Sequence, residues 1–260
     1  MRRYPHYVFD PPSTLAAFLS RFTIDTLIVR HELRLTDWPQ IQQQEAAESL
    51  RVSRLVLEHA SSYTHLVLSF FAITLSPETF RELSLAYGAP SDTLCRCIQK
   101  LGKNASRLSV NISTMVVASS PVDQVALRWT QLGTSIAACP ALKELCLHVP
   151  PPRQAHREWI VAMFAQPAFR NSPLRRIEIH IQLEGSDLDP STALRSENVH
   201  YDWASMDTTL SRARFPRLER VTLSLGSVCP SDPHFQAGTA AAAVLPSMHK
   251  AGLLHVVQGW

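Results

Sequence analysis

Two short stretches carry chemically capable side chains at matching intervals. Leu145-Cys146-Leu147-His148 and Ile177-Glu178-Ile179-His180 each alternate an apolar residue with a thiol, a carboxylate or an imidazole. If the two run side by side as parallel strands, equal positions lie ~4.8 Å apart. With Leu145, Leu147, Ile177 and Ile179 turned to the core, Cys146, His148, Glu178 and His180 share the opposite face. Two histidines, a carboxylate and a thiol within reach of one another suit zinc. Polar residues also fill such a face by default, so no metal ligand, cofactor or catalytic residue is assigned from the sequence.

Other chemistry is excluded by pattern. The chain has no G-x-S-x-G elbow, no H-E-x-x-H and no C-x-x-C. Its 8 glycines are sparse, and the closest pair, Gly252 and Gly259, fits neither phosphate-cradling motif. Cys95-Arg96-Cys97 lacks the second half of a zinc site, and such cysteines read as small buried hydrophobes. A net charge of +3, with 22 acidic residues interspersed among 25 basic ones, does not form the dense basic stripe of a nucleic-acid binder. Arg212, Arg214, Arg217 and Arg220 make a local basic run that reads as a solvated loop face, partly neutralised by Glu219.

The start of the chain carries no apolar run of the signal-peptide kind. The longest apolar stretch, 66–75, is short of the ~20 residues needed to span a bilayer. Five cysteines, an odd number, then read as reduced thiols. These features point to an intracellular protein with no membrane association, in which the sequons at Asn104 and Asn111 are silent.

The elements that must position these residues follow from periodicity. Alternation with period two marks strands at Leu83-Ser84-Leu85, 108–112, 145–147, 177–181, 221–225 and 254–256, with further candidates at 27–29, 55–57 and 66–68. Between them lie helical stripes. Val122, Val125, Trp129, Leu132 and Ile136 step by three and four after Ser120-Pro121. Leu94, Ile98 and Leu101 start after Asp92 and stop at Gly102. Shorter stripes begin at Trp159 and after Asp202, and an alanine-rich one ends before Pro246. Strand-then-helix units of roughly 20–45 residues are repeat spacing. The expected architecture is α/β: a leucine-rich-repeat-like solenoid over 51–260, with parallel strands on the concave face and helices on the convex face. A helical or irregular cap is expected over 1–50. A doubly wound α/β domain gives the same alternation.

Three segments resemble a known family. Ser172-Pro173-Leu174-Arg175-Arg176-Ile177-Glu178-Ile179, Asp202 to Leu210, and Phe215-Pro216-Arg217-Leu218-Glu219-Arg220-Val221-Thr222-Leu223 are similar to the C-terminal part of fungal (mushroom-type) F-box and leucine-rich-repeat-like proteins. So is the ending, Leu245-Pro246-Ser247-Met248 through Val256. The resemblance implies a substrate-recognition subunit of a cullin-type ubiquitin ligase. The F-box helices of that family are not visible here; Pro11 to Phe22 reads as one short amphipathic helix.

The working surface expected from alternation comprises Ser84, Ser109, Asn111, Cys146, His148, Glu178, His180, Thr222 and Ser224, small or polar throughout. The first expectation is a non-enzymatic module that binds a protein partner on this face. The second is an α/β enzyme whose site no short motif marks.

Overall fold

The computed structural model describes residues 17–29, 50–58, 71, 74–87, 92–112, 122–149, 159–181, 194, 202–225 and 236–258. Their strands form one open, all-parallel sheet of eight, in chain order. The strands are β1 (Thr23–Val29), β2 (Arg51–Glu58), β3 (Glu82–Tyr87), β4 (Arg107–Ile112), β5 (Glu144–Val149), β6 (Arg176–Ile181), β7 (Arg220–Leu225) and β8 (Leu254–Gln258). The helices are α1 (Asp92–Leu101), α2 (Val122–Ala137), α3 (Trp159–Phe164), α4 (Trp203–Thr209), α5 (Ala237–Val244) and α6 (Pro246–Lys250). A 3-10 turn spans Pro167–Asn171.

Alternation decides which side of each strand is dry. Leu55, Leu83, Leu108, Leu145, Ile177 and Val221 occupy one register row, and Leu57, Leu85, Val110, Leu147, Ile179 and Leu223 the next. All are buried. They meet one stripe from each helix: Leu94, Ile98 and Leu101 of α1, Trp129, Leu132 and Ile136 of α2, and Met163 and Phe164 of α3, in a single apolar cluster. Phe164, Phe169 and Phe215 close it with ring centroids 5.2–6.0 Å apart. The buried strand rows and the helix stripes share this one cluster, which puts the helices on the dry side of the sheet, and the polar rows face the other way.

The entrance to each strand repeats one device. Phe80, Ala105, Leu142, Leu174 and Leu218, three residues ahead of the first core residue of their strands, are all buried. The carbonyl of Arg81 accepts from the N–H groups of Ser106 and Arg107, at 2.8 and 3.0 Å. Ser106 does the same for Lys143 and Glu144, Lys143 for Arg175 and Arg176, and Arg175 for Glu219 and Arg220. One carbonyl thus satisfies two amides of the next unit, which extends the ladder backward from the sheet.

Helix ends follow local chemistry. Asp202 accepts from the Ser205 N–H and caps α4. Gly102 follows α1 at a close approach, where a side chain would run into the Ile98 carbonyl and the Cys139 sulfur. At the end of α6 the Gly252 and Leu253 amides donate to His249 and Met248, with Gly252 at φ +67, a left-handed cap that suits glycine.

Two expectations need correction or placement. β1 pairs with β2 in the same sheet, so part of the segment assigned to a helical or irregular cap is strand instead. Its Ile24, Leu27 and Val29 pack against the core cluster, and that supplies the reason. The candidate strand at 66–68, the cap at Ser120 and the first half of the helix expected over 11–22 lie outside the described residues; 17–19 are helical. No described helix is long and apolar enough to cross a membrane.

Candidate functional site

The helix-free face is built in rows. Its first row runs Ser84, Ser109, Cys146, Glu178, Thr222 and His255, each the register partner of the next. The second runs Asn111, His148, His180, Ser224 and Val257. All nine residues expected on this face fall in these two rows, which also verifies the pairing of Cys146 with Glu178 and of His148 with His180. Asn111 is exposed, and Ser84, Ser109, His148, Glu178, His180 and Thr222 are half-buried.

Cys146 and Ser224 depart from expectation. They point to this face yet are only 6% and 2% exposed, so neither offers contact area to a partner. Both side chains are short; Ser224 stands between the bulkier His180 and Val257, and Cys146 has Glu178 as a row neighbour and His148 Nε2 3.4 Å from its sulfur.

A third row was not anticipated. Arg54, Glu82, Arg107, Glu144, Arg176 and Arg220 succeed one another across five strand pairings, so charge alternates until the last step. Arg54 lies 3.1 Å from Glu82, Glu144 lies 3.8 Å from Arg107 and 3.1 Å from Arg176, and Arg107 also reaches Glu178 at 3.9 Å. The signal was present in the sequence. Each of these residues directly precedes a member of the buried row Leu55, Leu83, Leu108, Leu145, Ile177 and Val221, and stacking the units on that row shows the alternating sign.

At the centre of the face, the Cys146 sulfur lies 3.4 Å from His148 Nε2. The His148 and His180 rings stack with centroids 4.4 Å apart and an interplanar angle of 11°. His180 Nε2 is 3.7 Å from a Glu178 oxygen. One donor atom each from Cys146, His148 and His180 can be chosen so that all three lie within 4.8 Å of one another. Burial pushes the Cys146 thiol up to about 11, with the Ser109 hydroxyl opposing. Burial and then the neighbouring His180 lower His148, with Glu178 opposing, which favours the neutral imidazole.

The remaining sequence features behave as packing or solvated surface. Cys95, Cys97 and Cys139 are buried cysteines packed in the core cluster. Trp129 and Trp203 are buried anchors. Arg212 and Arg217 are exposed, and Glu219 is held 3.1 Å from Arg175.

No family model, no curated protein and no solved structure matches this chain.

Proposed function

We propose that the chain is a non-enzymatic recognition module: a leucine-rich-repeat-like solenoid whose helix-free, concave face binds a protein partner. The observation that carries this reading is the eight-stranded parallel sheet in chain order, which leaves one face to three rows of mostly polar and charged side chains. The repeated two-amide junction at four successive strand entrances supports the repeat architecture. A rigid sheet of this kind presents side chains at fixed spacing over a long surface, the geometry that repeat proteins use for binding. The alternating Arg/Glu row suits a partner with both signs of charge, read by register instead of by net attraction.

The role of substrate receptor for a cullin-type ubiquitin ligase rests on the resemblance to the fungal F-box and leucine-rich-repeat-like proteins. The test uses wild type and an Asn111→Arg/Thr222→Arg double variant as baits for quantitative affinity capture. A protein retained by wild type and lost by the variant, with the melting temperature unchanged, supports the recognition reading. Equal recovery by both overturns it. Failure to recover any cullin-ligase component sinks the ligase role and leaves the binding module standing.

A further inference from the structure

We infer that Cys146, His148 and His180 form a zinc site on the helix-free face, bridging β5 and β6, with Glu178 beside the fourth coordination position. Three observations converge on it. The donors come from adjacent strands in fixed register, His148 directly opposite His180 and Cys146 opposite Glu178. They can approach within 4.8 Å of one another without any ion being present. The Cys146–His148 pair already has the spacing that zinc requires: bonds of about 2.3 Å to sulfur and about 2.0 Å to nitrogen in a tetrahedral site set the two atoms roughly 3.5 Å apart. The Cys146 sulfur and His148 Nε2 are 3.4 Å apart.

Chemistry selects the metal class. One thiolate and two imidazoles make a borderline-soft donor set, which zinc accepts and calcium or magnesium does not. The next donor is the Glu178 carboxylate, 3.7 Å from His180 Nε2. An oxygen there either orients the imidazole or takes the fourth position, as zinc sites commonly allow. Arg107 also lies 3.9 Å from the same Glu178 oxygen, a second partner for that carboxylate. On binding, the Cys146 thiol releases its proton to solvent as the metal–sulfur bond forms, and the two stacked rings splay to aim their nitrogens at one point. The site does not depend on the recognition reading: it lies on the same face but needs no partner.

The test is metal titration of the full chain after treatment with chelator, using zinc by calorimetry and cobalt as a spectroscopic stand-in. Wild type is expected to take up one zinc per chain, to gain several degrees in melting temperature, and to give with cobalt a thiolate charge-transfer band and the visible bands of a tetrahedral site. Cys146→Ser abolishes the charge-transfer band, and His148→Gln and His180→Gln each weaken zinc by more than about tenfold; Glu178→Gln weakens it about tenfold. His255→Ala, two row positions beyond Glu178, leaves affinity unchanged. Melting curves in chelator identify the folded variants. If Cys146→Ser misfolds, His148→Gln carries the test, since its side chain is half exposed. Absence of stoichiometric zinc uptake by wild type, or equal affinity in wild type and folded His148→Gln, overturns the inference.

Discussion

The buried carboxylate of Asp207 on α4 receives the backbone N–H groups of Ser247 and Met248, both at 2.8 Å, and so ties the start of α6 to a helix 40 residues earlier in the chain. Two amides at a helix start lack partners within the helix, and a carboxylate answers both their hydrogen-bonding need and the local positive potential. Asp207→Ala is expected to cost about 2–4 kcal/mol, because both amides then lose a charged acceptor inside the protein. Asp207→Asn keeps one acceptor and loses less. Denaturant unfolding of the two variants checks the order, and a loss below about 1 kcal/mol for alanine removes the basis for it.

Glu144 sits between Arg107 and Arg176. These groups are partly exposed, so Glu144→Ala is expected to cost only about 0.5–1 kcal/mol. Glu144→Arg aligns Arg107, residue 144, Arg176 and Arg220 with one sign and is expected to cost about 1–2 kcal/mol at low salt, since like charges directly opposite repel. At 1 M salt the Debye length falls to about 3 Å and most of the difference should vanish. A salt-independent loss would mean that packing, not charge, is at stake.

Two glycines in helices are expected to respond oppositely to alanine. At Gly133 on α2 a Cβ would collide with the backbone carbonyl of Met163 on α3, so the two helices meet through that missing side chain. Gly133→Ala should cost about 1–3 kcal/mol by overpacking, enough to outweigh the better helix propensity of alanine. At Gly238 on α5 nothing lies within 4 Å of the built Cβ, and Gly238→Ala should gain about 0.4–1 kcal/mol. Melting temperatures that move in the same direction for both variants would contradict this.

Alkaline pH should destabilise the fold through its buried thiols. Burial pushes Cys139 from 9.0 up to about 11. Between those values the folded chain keeps a proton that the unfolded chain has lost, so the stabilisation is complete below pH 9 and is lost as pH rises through 11. The slope is up to about 1.4 kcal/mol per pH unit for one thiol. Cys95 and Cys146 shift the same way, so Cys139→Ala should flatten the decline without abolishing it. Denaturant titrations at several values from pH 8 to pH 11 measure the slope, and an unchanged slope in Cys139→Ala rules out its share.

Much of this architecture was legible because two periods carry it. Leu83/Leu85 and Ile177/Ile179 mark strands by alternation, and parity alone put Cys146, His148, Glu178 and His180 on one face, where the register joins them. Burial on that face was not legible. Alternation tells which way Ser224 points, but how much area it keeps depends on the size of His180 and Val257 in neighbouring strands. Of β1 only 27–29 was legible, as a candidate strand, because Asp25 and Thr26, both exposed, break the alternation ahead of it. The Asp207 contact was beyond reach for another reason: a carboxylate inside a short helix looks solvated until α6 arrives from 40 residues away.

The chain order of the strands governs how the protein is assembled during synthesis. From β2 onward, every strand emerges to find its partner already made, and no pairing waits for the far end of the polypeptide. Each closure spans one crossover, so its entropic cost depends on that loop and not on the length of the whole chain. Growth can therefore proceed from the N-terminal side one strand at a time, with β8 the last of the eight to pair.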